Sequence, residues 1–176
     1  MRSFLARFCR PLYLAFGLGL VSVAGFAPFY LYPLPIVALA ALFYLWRQCS
    51  SPKQAARLGF AFGLGLYGGG IYWIYISLHQ FGGMPIWMAA LSTFCLCAFM
   101  ALFPALVAWL AKRWHADAPG TLFMLSAAAL WALSDWVRSW IFTGFPWLTL
   151  GYSQVPFSPL TGYAPIFGIY GVSLLT

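Results

Sequence analysis

Charge is what this sequence lacks. Charged residues make up 6% of its 176 residues, and only two of them, Asp117 and Asp135, are acidic. A soluble globular domain carries roughly a quarter charged residues, so an ordinary water-exposed surface cannot be built from this chain. Material for metal or redox chemistry is equally short. The two histidines, His79 and His115, stand far apart, and the four cysteines, Cys9, Cys49, Cys95 and Cys97, show no metal-ligand spacing. Cys9 and Cys49 fall beside basic clusters and Cys95 and Cys97 inside an apolar run. That is how small buried hydrophobes are placed, not a disulfide framework. No phosphate loop or serine triad is present, and no metal or cofactor is implied.

What fills the chain instead is apolar. The hydrophobic fraction is 64% and the mean hydropathy +0.88, which makes lipid the natural solvent. The net charge of +7 does not mark a nucleic-acid partner. All but one of the basic residues sit in three short clusters between apolar runs: Arg2, Arg7 and Arg10; Arg47, Lys53 and Arg57; Lys112 and Arg113. Clusters so placed follow the positive-inside rule and put their loops in the cytoplasm.

The expected architecture is all-α: a polytopic transmembrane bundle of about six helices with a cytoplasmic N-terminus. The spans are expected near 12–27, 33–46, 58–78, 84–111, 121–142 and from 163 onward, the last still apolar at Thr176, as if cut short. The first also resembles a signal peptide, with three arginines before it and small residues at 23–25. The aromatic residues that follow Pro28, with no polar segment between, favour a retained helix. The second is short for a bilayer. The third carries Gly59, Gly63 and four further glycines, which let helix backbones approach closely where lipid gives no hydrophobic drive to pairing. In the fourth, Pro104 predicts a kink, and tilt absorbs the extra length. The connections opposite the basic loops are rich in aromatics, among them Phe29, Tyr30, Tyr32, Phe81, Phe145, Trp147 and Tyr152, as at a lipid–water boundary.

One basic residue breaks the pattern. Arg138 lies near the outer end of the fifth span, with Asp135 one turn before it, and Trp131, Asp135, Arg138 and Phe142 fall on one helical stripe. Charge within a membrane helix is costly and marks a functional hypothesis; the alternative is an ion pair that only neutralises itself. The Gly- and Pro-rich connection from 142 to 163 is long for a compact bundle, and loops of that length are commonly functional. Gly144 and Pro146 turn the chain there. His79 reads as an interfacial histidine that either touches substrate or has no role, and His115 and Asp117 as solvated loop residues.

Several stretches, in order, carry a family resemblance: FAPF at 26–29, GIYWIYIS at 70–77, FGGMP at 81–85, ALWALSDWVR at 129–138, FTGFPW at 142–147, GYSQ at 151–154, and APIFG with GV within 162–173. Each is weak alone, but their ordered set resembles the N-terminal membrane domain of bacterial apolipoprotein N-acyltransferase over nearly the whole chain. The resemblance implies a multi-pass inner-membrane domain, residues 1–176, with its active face toward the periplasm. It also implies an enzyme that transfers a phospholipid acyl chain to the N-terminal amine of a diacylglyceryl-cysteine apolipoprotein through a Cys thioester. The implied partners are the bilayer, a phospholipid donor and the apolipoprotein acceptor. The implied substrate-binding residues are Trp73, Tyr75, Asp135, Arg138, Gly144, Phe145, Pro146, Trp147, Tyr152 and Gln154.

The sequence departs from the family in two ways. Asp135 stands where the family usually has Glu, which keeps the charge and shortens the reach. The family's periplasmic nitrilase-like domain, with its Cys, Glu and Lys, is absent, so no catalytic residue is assigned and the chain alone is expected to be inactive. A small-solute transporter or channel subunit, or a non-catalytic scaffold, remains as an alternative, although few polar residues are available to line a water path.

Overall fold

The computed structural model describes the backbone of residues 2–176 and the side chains of residues 10–176, so the side chains of Arg2, Arg7 and Cys9 lie outside the described ones. Helix is the regular secondary structure of the described residues, with no strand among them. They form α1 (Arg2–Val23), α2 (Pro33–Gln48), α3 (Pro52–Gly70), α4 (Trp73–Ile76), α5 (Ile86–Trp114), α6 (Gly120–Arg138) and α7 (Ala164–Leu175). A π-helical turn, Ser77–Phe81, continues α4, and three 3₁₀ turns, Ile141–Thr143, Leu150–Gln154 and Pro159–Tyr163, shape the long connection after α6.

Among the described residues the α-helix count is seven, not about six, because the third expected span breaks. Three glycines end α3, which lowers helix propensity, and the chain bends by 48° before α4 and the π turn. His79 then meets the Met84 carbonyl through Nδ1 at 2.8 Å, fixing the turn into α5.

Helix lengths also revise the expected spans. Among the described residues, α5 and α6 are the helices long and apolar enough to cross a membrane unaided, with a third if α3 and the bent segment after it are one span. At 16 residues, α2 is about 24 Å long, short of a hydrocarbon core of roughly 30 Å. α7 is broken at Gly168, where φ is +65°. α6 stops at Arg138, four residues before the expected end, so Phe142 leaves the Trp131–Asp135–Arg138 stripe and stands exposed. α5 runs on to Trp114 and takes Lys112 and Arg113 into its last turn. Lys112 is therefore buried, with Nζ donating to the Arg47 carbonyl at 2.8 Å.

α3 lies between α1 and α5 and packs closely on both. It starts on Ser51, whose hydroxyl accepts from Gln54 N–H at 3.3 Å, with Pro52 in the first turn, a strong helix-start combination. Its approach to α5 requires Gly63: a Cβ there would stand 2.7 Å from Ala101 Cα. Trp46, Phe62, Tyr67, Met100 and Phe123 fill the core between helices.

The two ends of the bundle differ. At one, Arg47 at the end of α2 is joined by Lys112 of α5 and lies against Gly120 at the start of α6. At the other, α4, the 3₁₀ turns and the α1–α2 connection come together, with Gln154 donating to the Tyr32 carbonyl at 3.3 Å.

Candidate functional site

The expected site residues lie at the aromatic end and fall into two groups. Asp135 and Arg138, on the last turn of α6, form an ion pair of 2.6 Å between Nη2 and Oδ1, with their side chains only 4% and 2% exposed. Each also holds the chain that follows. Arg138 Nη1 donates to the Trp147 carbonyl at 2.7 Å and the Phe145 carbonyl at 3.2 Å. Asp135 Oδ2 accepts from Leu150 N–H at 2.9 Å and from the Ser173 hydroxyl at 3.2 Å. That hydroxyl in turn accepts from Gly151 N–H at 2.8 Å. The Tyr67 ring closes the guanidinium's face, 5.6 Å from Cζ to the ring centre.

This network answers a local need. Helix α6 ends, and the chain reverses through Phe142, Thr143 and Gly144, all at positive φ. At Gly144, where φ is +82°, a Cβ would collide with the Ser139 carbonyl, and only glycine takes that conformation without strain. So irregular a segment bonds to itself only in part, through turns such as Gly144 N–H to the Ile141 carbonyl, and the carbonyls of Phe145 and Trp147 and the Leu150 N–H go to the α6 ion pair.

The second group is aromatic and reaches the surface. Phe145 stacks on Trp147 with centroids 5.6 Å apart, and Trp147 meets Trp73 of α4 at 5.5 Å. Trp147 and Trp73 are exposed, while Phe145 and Pro146 are half-buried. Beside them a cleft of about 190 Å³ opens between α5 and the turn after α6, walled by Leu96, Phe99, Met100, Phe103, Phe142 and Phe145. Arg138 lines its inner part.

Other expected residues lie apart from this cluster. Tyr75 stacks on His79 at 5.9 Å. Tyr152 is exposed. Gln154 is fully buried, joining Ser153 and Tyr32. Sequence reasoning did not single out Tyr67, Leu150, Ser173 or the α5 wall. The only available signals were hydroxyl groups in glycine-rich apolar runs and an apolar helix whose faces all look alike. Among the described residues no group of His, Cys, Asp and Glu could hold a metal ion. His115 is half-buried, and Asp117 is exposed on the α5–α6 connection.

Comparison with known proteins places the sequence in a family. The model of the apolipoprotein N-acyltransferase N-terminal domain matches residues 18–176. Three proteins called apolipoprotein N-acyltransferase are close in sequence. That of Nitrosomonas europaea is 55% identical over 165 residues, 92% of this chain and 32% of the relative. That of Chromobacterium violaceum is 45% identical, over 89% of this chain and 30% of the relative. That of Vibrio cholerae is 39% identical, over 96% and 33%. The chain therefore spans about a third of the length of the curated relatives it matches. On the strength of that match, the chain belongs to the apolipoprotein N-acyltransferase N-terminal domain family.

Proposed function

We propose that this chain is the transmembrane domain of an inner-membrane acyltransferase that moves an acyl chain from a phospholipid to the N-terminal amine of a diacylglyceryl-cysteine lipoprotein. In that protein a thiolate attacks the phospholipid ester, the acyl C–O bond breaks and the lysophospholipid leaves protonated, giving a thioester; the lipoprotein amine then attacks the thioester, loses a proton and forms the amide as the thiolate is released. The cysteine, its glutamate base and a lysine belong to a nitrilase-like domain of the longer protein. The part of this chain is to admit two bilayer-anchored substrates sideways and hold their reacting ends at the periplasmic face. The basic loops lie in the cytoplasm and the residues from 139 to 163 at the periplasm.

The observation that carries the proposal is the largely apolar cleft between α5 and the turn after α6, walled in part by Phe145, whose ring stacks on Trp147 and through it meets Trp73, at the end opposite the basic loops. Its walls suit a stretch of acyl chain, and indole rings pack on lipid while their N–H groups meet polar partners. Asp135 and Arg138 act through the loop they hold. Trp147, Phe145 and Trp73 make the lipid contact, with Tyr75, Tyr152, Gly144, Pro146 and Gln154 shaping the surface around them.

A photoactivatable phospholipid with its reactive group in the acyl chain tests the proposal. Cross-links concentrated on Phe99, Phe103 and residues 141–147 are expected; labelling spread evenly over every lipid-facing helix would overturn it. Single-cysteine labelling of Lys53→Cys in an otherwise cysteine-free chain tests the orientation. Reaction with an impermeant reagent from outside intact spheroplasts would refute it.

A further inference from the structure

A groove along α2 and α6 takes no part in the proposed acyl transfer. It holds about 300 Å³. One wall is Ile36, Leu39, Ala40 and Phe43 of α2, and the other is Met124, Leu125, Ala128 and Trp131 of α6. Both sets recur every three or four residues, so each is one face of its helix. The buried rings of Phe43 and Trp131 join the two walls, with centroids 6.2 Å apart. Elsewhere the groove is open: Leu125 is 68% exposed, and Ala40 is exposed too.

The end of α7 supplies the third side. Ser173 is fixed to α6, its hydroxyl donating to Asp135 Oδ2 at 3.2 Å, and Leu174, Leu175 and Thr176 then line the groove. Ala128 lies about two turns before Asp135 on α6 and Leu125 nearly three, so α7 advances along α6 toward its start, into the space between the walls. Two lengths agree on what fits there. Trp131 and Met124, like Phe43 and Ile36, are seven residues apart, about 10 Å of helix. α7 itself has 12 residues, about 18 Å, and a hydrocarbon core of roughly 30 Å needs about eight more. The groove has no polar group to spare for a lipid headgroup: the Ser173 hydroxyl is engaged with Asp135, and Thr176 Oγ1 with the Val172 carbonyl. The chain spans 32% of the Nitrosomonas europaea relative, and what it matches is the family's N-terminal domain, so in proteins of that length a long stretch of chain follows α7.

We propose that the α2–α6 groove is an intramolecular docking surface, and that its occupant is the stretch following Thr176 in the longer protein, which continues α7 as an apolar helix for about two turns. Docked there, the helix covers Ala40 and Leu125 and ties α2 to α6. The same helix carries Ser173, so seating it holds that hydroxyl against Asp135 and the Gly151 N–H. The groove thereby supports the outer loop from the far side of the bundle.

The test uses the longer protein in membranes. Benzoylphenylalanine in place of Leu125, or of Ala40 on the facing wall, is photolysed, and the cross-linked peptides are identified by mass spectrometry. Both positions are expected to capture the same stretch, within about eight residues after Thr176. The same probe in place of Leu102, on the exposed face of α5, should capture lipid. Because the bulky probe can disturb folding, Leu125→Cys is also paired with single cysteines along that stretch, in a protein otherwise free of cysteine, under mild oxidation. Disulfide yield should peak at every third or fourth position. Lipid adducts alone at both groove positions, cross-links to a second copy or to another part of the protein, or disulfide yields without that period would overturn the proposal. The readout is a cross-link and not turnover, so it stands or falls apart from the acyl-transfer reading.

Discussion

Replacing Arg138 by methionine tests the central claim about the site, that its ion pair builds the outer loop. Methionine keeps much of the side chain's length and apolar stem, so loss of packing is small. Three hydrogen bonds go: those to Asp135, Phe145 and Trp147. The Asp135 carboxylate is left buried and without its cation, a situation that costs roughly 3–5 kcal/mol. Had the pair been exposed, the cost would be about 0–1 kcal/mol, so the magnitude itself discriminates. Asp135→Leu alone should cost a similar amount, since it leaves a buried guanidinium and frees Leu150 N–H and the Ser173 hydroxyl. The double variant Asp135→Leu/Arg138→Met carries no buried charge and loses only neutral hydrogen bonds, about 1–3 kcal/mol for each group left unsatisfied. Its destabilisation should therefore fall short of the sum of the single variants by at least about 2 kcal/mol. Reversible unfolding in mixed micelles gives all three values, and proteolysis within residues 139–163 reports whether the loop has loosened. Single-variant effects that add to within about 0.5 kcal/mol, with the loop still protected, would refute the claim.

Three further outcomes follow from the same geometry. In the longer enzyme, Trp147→Ala and Trp73→Ala should each lower turnover at least about tenfold, or roughly 1.4 kcal/mol of barrier, with melting temperature unchanged; normal turnover per folded molecule would return the rings to a purely anchoring role. Gly144→Ala should destabilise by about 1–3 kcal/mol, because it forces a side chain into a positive-φ position and against the Ser139 carbonyl, which thermal unfolding will register. Burial pushes the Cys49 thiol up to about 11, against a partial opposing pull from Lys112. The folded chain thus holds this proton more tightly than the unfolded chain. The stabilisation is complete below the ordinary thiol value of 9.0 and is lost as pH rises toward 11. Alkylation of Cys49, in a chain lacking the other cysteines, should be slow at pH 8 and climb only well above 9.

The parts of this molecule legible in its sequence are those set by composition and local pattern. The apolar runs mark the helices and the basic clusters mark one end of the bundle, although the third span, expected from 58, starts as a helix at Pro52. The i,i+3 spacing of Asp135 and Arg138 places the pair on one face, and the structure puts them in contact. The bend after Gly70 was not legible. A glycine run permits close helix packing or a break, and the choice depends on neighbours such as Leu148, whose side chain occupies the space beside Gly70. The destination of the ion pair's remaining bonds was hidden too. Ser173 reaches Asp135 from 38 residues away in the chain, a closure that no local pattern encodes. The α5 wall was equally obscure: a helix apolar on every side gives no sign of which face lines a cleft. Gln154 illustrates the opposite error. A polar residue in an outer loop reads as accessible, yet it is buried, because the α1–α2 connection folds over it at Tyr32.

The charges at the end of α6 resolve a conflict that the outer segment creates for itself. Residues 139–163 satisfy their own backbone only in part, through short turns, and at the edge of a membrane an unsatisfied carbonyl or N–H group costs several kcal/mol. A polar outer surface would draw in water to satisfy those groups, but it would spoil the surface for acyl chains. The ion pair works from behind instead. Arg138 takes the carbonyls of Phe145 and Trp147, and Asp135 takes the Leu150 N–H. The segment's polar atoms are drawn inward, leaving the rings of Phe142 and Trp147 free to face outward, 75% and 48% exposed. Support and lipid contact thus occupy opposite faces of one loop, so the two classes of variant should fail differently. Loss of either ion should lower stability and turnover together, because the rings lose their positions. Loss of Trp147 should lower turnover alone, because the loop behind it remains held.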